Sequence, residues 1–440
     1  MSDAVLTVEA TDVNSGESDY VHGSDLDTPQ AGATAGSYNL VIEGWVFSKS
    51  LSVDHVEVLH KERPLALVPL DGNRPDIAAG FPDLEGAEQT GYRAAIGTLA
   101  LPAEFELVLR AKLENGVRLP LAKLSCKRRR IRSSRESKIQ PLMVNTIGRS
   151  GSTLLVTLLA SHSEVVAFAP WIKDARIATY WMDIFQDLAQ PESFLAPFDP
   201  PDLEKPHWWL GSQHGSDQLG DPELEQWMGR EGIGSLLGMC QERIEEFYAH
   251  VAGPGASPRY FVEKFSPYQV LPDLLAETYA GAREVVLVRD FRDILCSVIS
   301  FNRKRGYEAF GRAESGNDVD YVHQTLAPSA VELVERWRGA DQRPHLVRYE
   351  DLVHEPREAL AALFEHLDVD ASEDEIEATL ERAASGSGSM DHHRTTTSAD
   401  ASIGRWRNDL PSDVADACHE ALGPILAELG YEVPAGAESR

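Results

Sequence analysis

The sequence predicts two domains: a small all-β sandwich, followed by a larger three-layer α/β/α domain built on a parallel sheet. A length of 440 residues is enough for two or three domains. The first part has short apolar runs separated by turn residues, and the later part alternates apolar strands with helical patterns. We expect a flexible N-terminal arm at 1–35, a β-sandwich at 36–126, a basic linker at 127–139 and the α/β domain at 140–435.

The sandwich is predicted from short apolar runs at strand spacing. These runs are 40–42, 46–47, 56–59, 65–68, 105–109 and 119–121. Before them, residues 1–35 mix Asp, Ser, Gly and Thr with little periodicity, which predicts a flexible arm. After them comes KRRRIRSSRESK at 127–138, which we interpret as a solvated linker. A surface patch that binds anions or a membrane is the alternative.

The α/β domain is predicted from apolar segments that alternate between strand and helix patterns. Strands are expected at 142–147, 260–262, 284–288 and 345–348. Helices are expected at 153–161, 271–279, 292–301 and 330–338, and from Pro356, Ser372 and Pro411. Such alternation is typical of a doubly wound parallel sheet with helices on both faces.

Charge and hydropathy exclude several classes of protein. Lys plus Arg number 41 and Asp plus Glu 70, so 41 − 70 gives a net charge of −29. This acidic balance disfavours nucleic acid as a partner. No apolar run is long enough for a transmembrane segment, and the start lacks signal-peptide features, so we predict a cytoplasmic protein. The four cysteines have no metal-ligand spacing, and neither a disulfide framework nor structural zinc is predicted.

The strongest functional signal is a buried strand that runs into GRSGSTLL at 148–155. A glycine-rich turn at a helix N-terminus directs several backbone N–H groups at one point, which suits phosphate or sulfate. A nucleoside triphosphate loop would need Lys after its last Gly, but Ser152 follows Gly151 here. The residues predicted to bind the anion are Gly148, Arg149, Ser150, Gly151, Ser152 and Thr153.

A second anion site is predicted where the strand 284–288 leads into a helix. Arg289 follows the carboxyl end of the strand, where open α/β sheets bind ligands, and Ser297 lies about two helical turns further on. Together they could bind a second anion. The alternative for Arg289 is a structural ion pair with Asp290 or Asp293.

Four segments together resemble the sulfotransferases that use 3'-phosphoadenosine 5'-phosphosulfate (PAPS). They are the loop 148–155, the Arg289 and Ser297 pair, VRYEDL at 347–352 and GRWRN at 404–408, within a likeness that covers 140–431. The resemblance implies a P-loop-like fold in which the loop holds the 5'-phosphosulfate, while Arg289 and Ser297 hold the 3'-phosphate. Arg405 in the last segment is expected to reach a phosphate.

The resemblance also implies direct sulfuryl transfer to an acceptor hydroxyl without a metal. Arg149 and Lys264 would neutralise charge on the transferring group. Glu263 is a candidate base, and the other base candidates are Asp174, His207 and His214. Adjacent His392 and His393 are not predicted to bind metal.

The acceptor is left open by the motifs. The N-terminal module is weakly similar to modules of glycan-modifying bacterial enzymes, so a carbohydrate or glycolipid acceptor is a hypothesis. Two other functions remain possible on the sequence. One is a nucleotide-dependent kinase, which the loop without Lys disfavours, and the other is a non-catalytic protein that binds anions or nucleotides.

Overall fold

The computed structural model describes residues 4–14, 19–168, 175–189, 227–267, 271–339, 343–385 and 395–433. The chain forms two compact units. The first comprises residues 1–136 and 179–242, and the second comprises 137–178 and 243–440.

The first unit contains two antiparallel sheets, which confirms the predicted all-β part of the fold. The six-stranded sheet has the order β3-β1-β10-β9-β5-β6 and the four-stranded sheet the order β2-β4-β8-β7. Leu107 of the larger sheet and Ile42 of the smaller belong to one buried apolar cluster, so the two sheets form a sandwich. The strands are β1 (Leu6–Val13), β2 (Val21–Thr28), β3 (Thr34–Ala35), β4 (Asn39–Ser48), β5 (Val53–His60), β6 (Arg63–Val68), β7 (Gly72–Asn73), β8 (Gln89–Gly97), β9 (Glu104–Leu113) and β10 (Arg118–Arg128), with the short helix α1 (Pro75–Gly80) before β8.

The structure differs from the prediction of a flexible arm at 1–35. β1 pairs with β10 and β2 pairs with β4, one strand in each sheet. Leu6, Val8 and Leu26 are almost fully buried in the sandwich core. The polar residues between them lie on the outer faces and lower the local hydrophobicity, which hid the period-two pattern.

The basic segment 127–139 is also more ordered than a solvated linker. β10 extends to Arg128, whose buried guanidinium donates hydrogen bonds to the carbonyls of Leu99 and Leu101. Ile131 is buried, and Ser134 N donates to Gly234 O at 3.1 Å. The division between the two units falls within this segment, at 136/137.

The second unit is built on a five-stranded sheet that is parallel throughout, which confirms the predicted fold class. The order is β12-β13-β11-β14-β15, so β11 lies at the centre. The strands are β11 (Gln140–Thr146), β12 (Val165–Val166), β13 (Tyr260–Phe265), β14 (Arg283–Val288) and β15 (His345–Arg348).

Helices of the second unit cover both faces of this sheet. The helices that follow β10 along the chain are α2 (Ser152–Leu159), α3 (Ile177–Ala189), α4 (Ile233–Ala252), α5 (Leu271–Thr278), α6 (Phe291–Arg305), α7 (Asp318–Tyr321), α8 (Ala327–Gly339), α9 (Tyr349–His354), α10 (Pro356–Leu367), α11 (Glu373–Ser385), α12 (Trp406–Asp409) and α13 (Ser412–Glu428). Two π-helical turns, Met228–Gly232 and Val322–Leu326, and the 3-10 turn Asp400–Ser402 complete the described elements. Most of α3 and the first half of α4 belong to the first unit.

Strand β14 shows how the sheet separates two apolar layers. Val285 and Leu287 pack with α2, α10 and α11 on one face, whereas Val286 and Val288 pack with α6, α8 and α13 on the other. This alternation is the period of two expected of a strand buried on both sides. Arg289 is one residue beyond β14 and two residues beyond Leu287, so it lies on the side of the sheet that carries α2.

None of the described helices is long and apolar enough to cross a bilayer. The four cysteines are buried free thiols. Among the residues that the structure describes, no group of three or more His, Cys, Asp or Glu side chains could hold a metal ion.

Candidate functional site

The predicted anion loop, 148–155, consists of residues between β11 and α2 together with the first turn of α2. Gly151 precedes α2 with φ = +97°, a conformation that L residues rarely adopt. An added Cβ there would lie 2.2 Å from the Tyr349 ring. The backbone N–H groups of Ser152 and Thr153 have no acceptor among the described residues. The loop therefore offers free donors at a helix N-terminus, as an anion site requires.

The Ser150 hydroxyl points away from this anion site. Its side chain is fully buried, and its Oγ lies 2.5 Å from Thr146 Oγ1. Thr146 Oγ1 in turn donates to Leu287 O at 2.9 Å, so Ser150 is the donor in the first bond. Ser150 thus fastens the loop to β11 and β14.

A pocket opens on the other side of the loop. It brings together the anion loop, the end of β14, the first half of α6 and a segment near residue 400. Its lining residues are Arg149, Gly151, Ser152, Thr153, Leu154, Arg289, Ser297, Tyr349, Thr395, Thr396, Ser398, Ala399 and Ser402. The two predicted anion sites therefore lie in one pocket.

Arg289 is held inside this pocket by backbone carbonyls. It is 4% exposed, and its guanidinium donates to Ser402 O at 2.5 Å and to Arg149 O at 3.3 Å. The guanidinium lies 4.6 Å from the centre of the Tyr349 ring. Its Nε is buried and has no hydrogen-bond partner in the described part of the chain. These carbonyls orient the cation without neutralising it, and the ion pair considered from the sequence is made by another residue: Arg292 pairs with Asp290.

Arg149 connects the two anion-binding sets. Its Nε donates to Ser297 Oγ at 3.2 Å, and its guanidinium lies over the Phe301 ring at 4.5 Å. Burial, and next the charge of Arg289, lower the pKa of Arg149 to about 10. Two guanidinium groups that repel each other in a buried pocket would be stabilised by a bound anion.

Arg405 does not line the pocket. Its guanidinium donates to Ser300 Oγ at 2.9 Å and to Thr395 Oγ1 at 3.4 Å, and it pairs with Asp409. Thr395 does line the pocket, so Arg405 supports a residue there.

The residues that sequence reasoning missed are Tyr349 and the hydroxyl-bearing Thr395, Thr396, Ser398 and Ser402. The run of Thr and Ser at 395–398 was the available signal. Hydroxyl groups are donors that suit phosphate, and this run lies just before the predicted Arg405.

Asp293 holds the segment that carries Ser402. Its carboxylate accepts hydrogen bonds from the backbone N–H of Gly404 at 2.6 Å and of Trp406 at 2.9 Å. Burial raises the pKa of Asp293 to about 6, although these amides favour its charged form. Asp293 is therefore a structural residue that fixes one wall of the pocket.

This raised pKa predicts a pH-dependent effect of Asp293→Asn on stability. At pH 5.5 the unfolded carboxyl is ionised, whereas the native one mostly keeps its proton, so wild-type stability falls as pH rises through about 6. The variant lacks this contribution. We expect the difference in unfolding free energy, wild type minus variant, to be about 1 kcal/mol larger at pH 5.5 than at pH 7.5 in urea titrations. An equal difference at both pH values would contradict the raised pKa.

Glu263 is buried on β13 and already accepts two hydrogen bonds. Tyr248 Oη donates to its Oε1 at 2.6 Å, and the backbone N–H of Ala178, in the first turn of α3, donates to the same oxygen at 2.7 Å. The side chain is 1% exposed. This arrangement suits a structural carboxylate that fixes the backbone at Ala178 and the side chain of Tyr248 beside β13.

Lys264 is the next residue of β13 and lies on the face of the strand opposite to Glu263. Val262 packs in the apolar layer that contains α2, and residues two apart in a strand share a face. Lys264 pairs in register with Val144 of β11, near the carboxyl end of the sheet. It is half-buried and does not line the pocket. The strand thus places Lys264 on the α2 side of the sheet.

The other candidates named from the sequence, Asp174, His207, His214, His392 and His393, lie outside the described residues. Gly148 begins the loop and packs against Phe310: an added Cβ would lie 2.5 Å from that ring.

Comparison with known proteins agrees with the predicted family. The sequence model of the Sulfotransferase family matches residues 141–374. No curated protein matches the chain. Among solved structures, the sulfotransferase domain from the curacin biosynthetic pathway is 18% identical, covers 67% of this chain and 99% of that chain, and has a TM-score of 0.37. The sulfotransferase domain from the Synechococcus PCC 7002 olefin synthase is also 18% identical. It covers 68% of this chain and 98% of that chain, and has a TM-score of 0.39.

A mouse sulfotransferase complexed with PAP (3'-phosphoadenosine 5'-phosphate) is 10% identical, covers 68% of this chain and 92% of that chain, and has a TM-score of 0.39. The family match is the more specific finding. It spans just over half of the chain and contains the anion loop, Arg289 and Ser297. The protein belongs to the sulfotransferase family.

Proposed function

We propose that this sulfotransferase takes its sulfuryl group from PAPS and transfers it to an acceptor hydroxyl. One observation carries the choice of donor: a single pocket joins two sets of anion-binding groups, the anion loop and the Arg289 and Ser297 pair. PAPS carries two separated anionic groups, the 5'-phosphosulfate and the 3'-phosphate, and so needs two such sets. The buried Nε of Arg289, without a partner among the described residues, is a donor that a phosphate oxygen would satisfy.

The residues divide into two roles. The N–H groups of Ser152 and Thr153, with their hydroxyls, would hold the 5'-phosphosulfate, and Arg289 with Ser297 would hold the 3'-phosphate. When bound, PAPS supplies a sulfuryl group activated by its bond to phosphate. Arg149 reaches Ser297 and lines the pocket, so its charge lies where it can lower the electrostatic cost of both anionic groups.

Transfer also needs a cation near the reacting group and the loss of the acceptor's proton. Lys264, on the α2 side of the sheet near its carboxyl end, is the residue we assign to stabilise charge on the sulfuryl group. Glu263 points to the other side of β13, and its carboxylate already accepts hydrogen bonds from Tyr248 and from the backbone of Ala178. We therefore assign it a positioning role in place of the predicted role as base.

The test is incubation of the protein with PAPS and hydroxyl compounds, followed by mass spectrometry of PAP and of a product heavier by one sulfuryl group. A parallel incubation with ATP and Mg²⁺ covers the kinase alternative. The proposal is supported if a sulfated product forms from PAPS and no phosphorylated product forms from ATP. Phosphorylated product from ATP, with none from PAPS, would overturn it. The carbohydrate acceptor and the cytoplasmic location stay predictions.

Replacing Lys264 by alanine should lower turnover about 10²-fold or more, since a lost charge-stabilising donor typically costs that much. PAP affinity should change less than threefold, because Lys264 does not line the donor pocket. Initial rates with saturating PAPS and titration calorimetry with PAP separate the two quantities. Lys123→Ala, at an exposed lysine of the first unit, is the control. Equal losses of PAP affinity and of turnover would place Lys264 in donor binding instead.

A further inference from the structure

The loop between α6 and α7, residues 306–317, presents two aromatic side chains to solvent. Tyr307 is 58% exposed and Phe310 is 39% exposed. We call this pair the aromatic ledge. Large aromatic side chains are usually buried because their area dominates core packing. Phe310, moreover, has φ = +63°, a left-handed conformation that is an outlier for a bulky residue.

The loop is built to keep Phe310 in this conformation. Tyr321 Oη donates to Phe310 O at 3.0 Å. Glu308, two residues earlier, accepts from the buried Asn302 at 2.8 Å and pairs with Arg312 at 3.0 Å. Strained residues persist only where their surroundings hold them, and they occur preferentially at functional sites. Phe310 is therefore fixed in an exposed position by its neighbours.

The ledge lies against the anion loop, on a different part of it from the donor pocket. The ring of Phe310 packs on Gly148, at the start of the loop, so closely that an added Cβ would overlap it. Phe310 also meets Phe301 edge to face at 5.6 Å, and Phe301 supports the guanidinium of Arg149. Neither Phe310 nor Phe301 lines the donor pocket. A ring placed on the ledge would thus lie beside the anion loop and leave the donor groups free.

From this we propose that the aromatic ledge binds the acceptor and selects a hydroxyl carried on a ring, either a phenol or a sugar. This inference rests on the proposed sulfuryl transfer. Both kinds of ring offer an apolar face that packs on an aromatic side chain, and the backbone of Phe310 is already held in place by Tyr321. A hydroxyl carried on a flexible chain without a ring would gain little from this surface.

The test compares wild type with Phe310→Asn and Phe310→Tyr. Asparagine tolerates the left-handed conformation and removes the ring, so the loop should keep its fold. Tyrosine keeps the ring. Tyr20→Ala, at an aromatic residue of similar exposure in the first unit, is the control. The probes are 4-nitrophenol, methyl α-glucopyranoside and the ring-free 1-butanol, each with PAPS, and PAP binding is measured by calorimetry.

We expect wild type to sulfate at least one ring-bearing probe and to prefer it to 1-butanol. Phe310→Asn should raise the KM for that probe about tenfold and leave the Kd for PAP within twofold, while Phe310→Tyr and Tyr20→Ala stay near wild type. The phenol and sugar arms show which ring is used.

Three results would refute acceptor binding at the ledge and leave the proposed donor unaffected. They are an unchanged KM in Phe310→Asn, a preference for 1-butanol, and a lack of transfer to either ring-bearing probe by a protein that binds PAP. Failure of the wild type to bind PAP would overturn the proposed function, and the ledge with it.

Discussion

Replacing Arg289 by alanine should weaken the binding of PAP by about 10- to 150-fold. This range corresponds to about 1.5 to 3 kcal/mol, the usual loss for a hydrogen bond to a charged group. The loss of affinity should be at the upper end of this range, because Arg289 is only 4% exposed. At such a buried position, water that enters the variant is a poor substitute for the guanidinium as a partner of the phosphate. Titration calorimetry of PAP on wild type and variant measures the change directly.

The choice of ligands identifies the phosphate that Arg289 binds. 5'-AMP lacks the 3'-phosphate, so it should bind weakly to wild type and lose little in the variant. ATP carries its extra charge on the 5' side and should behave in the same way. Micromolar PAP binding that depends on both the 3'-phosphate and Arg289 is the result expected for a PAPS enzyme.

Arg289 also donates to the carbonyls of Ser402 and Arg149, so a disturbed pocket wall is a second way in which the alanine variant can lose affinity. Arg289→Lys is the matched variant: it keeps the charge and loses the planar fork. Its PAP affinity should lie between those of wild type and Arg289→Ala. Thermal unfolding of all three proteins reports any loss of structure. ATP binding equal to or tighter than that of PAP, and indifferent to Arg289, would contradict the assignment of the donor.

Local sequence patterns predicted the parallel sheet and its helices because buried strands and amphipathic helices have distinct periods. Each strand predicted between 142 and 348 is present, with ends shifted by a few residues. β1 and β2 were missed because their buried residues are few and alternate with Asp, Glu and Thr. A strand with a strongly polar outer face resembles a flexible segment in composition, and only its pairing in the sheet distinguishes the two.

The candidate site could be predicted in part for a similar reason. The anion loop is contiguous, and Arg289 with Ser297 lies on a strand and helix of clear pattern. Side-chain direction was not available from the sequence: Ser150 turns inward to Thr146, and Arg149 reaches across to Ser297. Thr395 and Ser402 follow Ser297 by about a hundred residues and enter the pocket through tertiary packing alone. Phe310 lies in a loop without any periodic signal.

Gly151→Ala should destabilise the protein by about 2 to 5 kcal/mol and abolish measurable PAP binding. Two costs contribute. The first is the left-handed backbone, φ = +97°, which costs an L residue about 1 to 2 kcal/mol. The second is the overlap of the new methyl group with the Tyr349 ring, 2.2 Å away, and overpacking of this kind typically costs about 1 to 3 kcal/mol.

Gly253→Ala separates these two costs. Gly253 has φ = +85° in the same unit, and an added Cβ there would meet nothing within 4 Å. This variant should therefore lose only the backbone part, about 1 to 2 kcal/mol, and should bind PAP as wild type does. Urea unfolding and PAP calorimetry on both variants give the comparison.

The difference in stability between the two glycine variants measures the cost of fitting the added methyl group against the Tyr349 ring. Tyr349 also supports the Arg289 guanidinium, so a loop displaced by the methyl group should disturb both anion-binding sets at once. If Gly151→Ala and Gly253→Ala lose the same stability, the loop has moved without cost and its packing on Tyr349 does not fix the pocket. If Gly151→Ala alone loses the additional stability and the affinity for PAP, close approach of the loop to Tyr349 is the reason that glycine stands at this position.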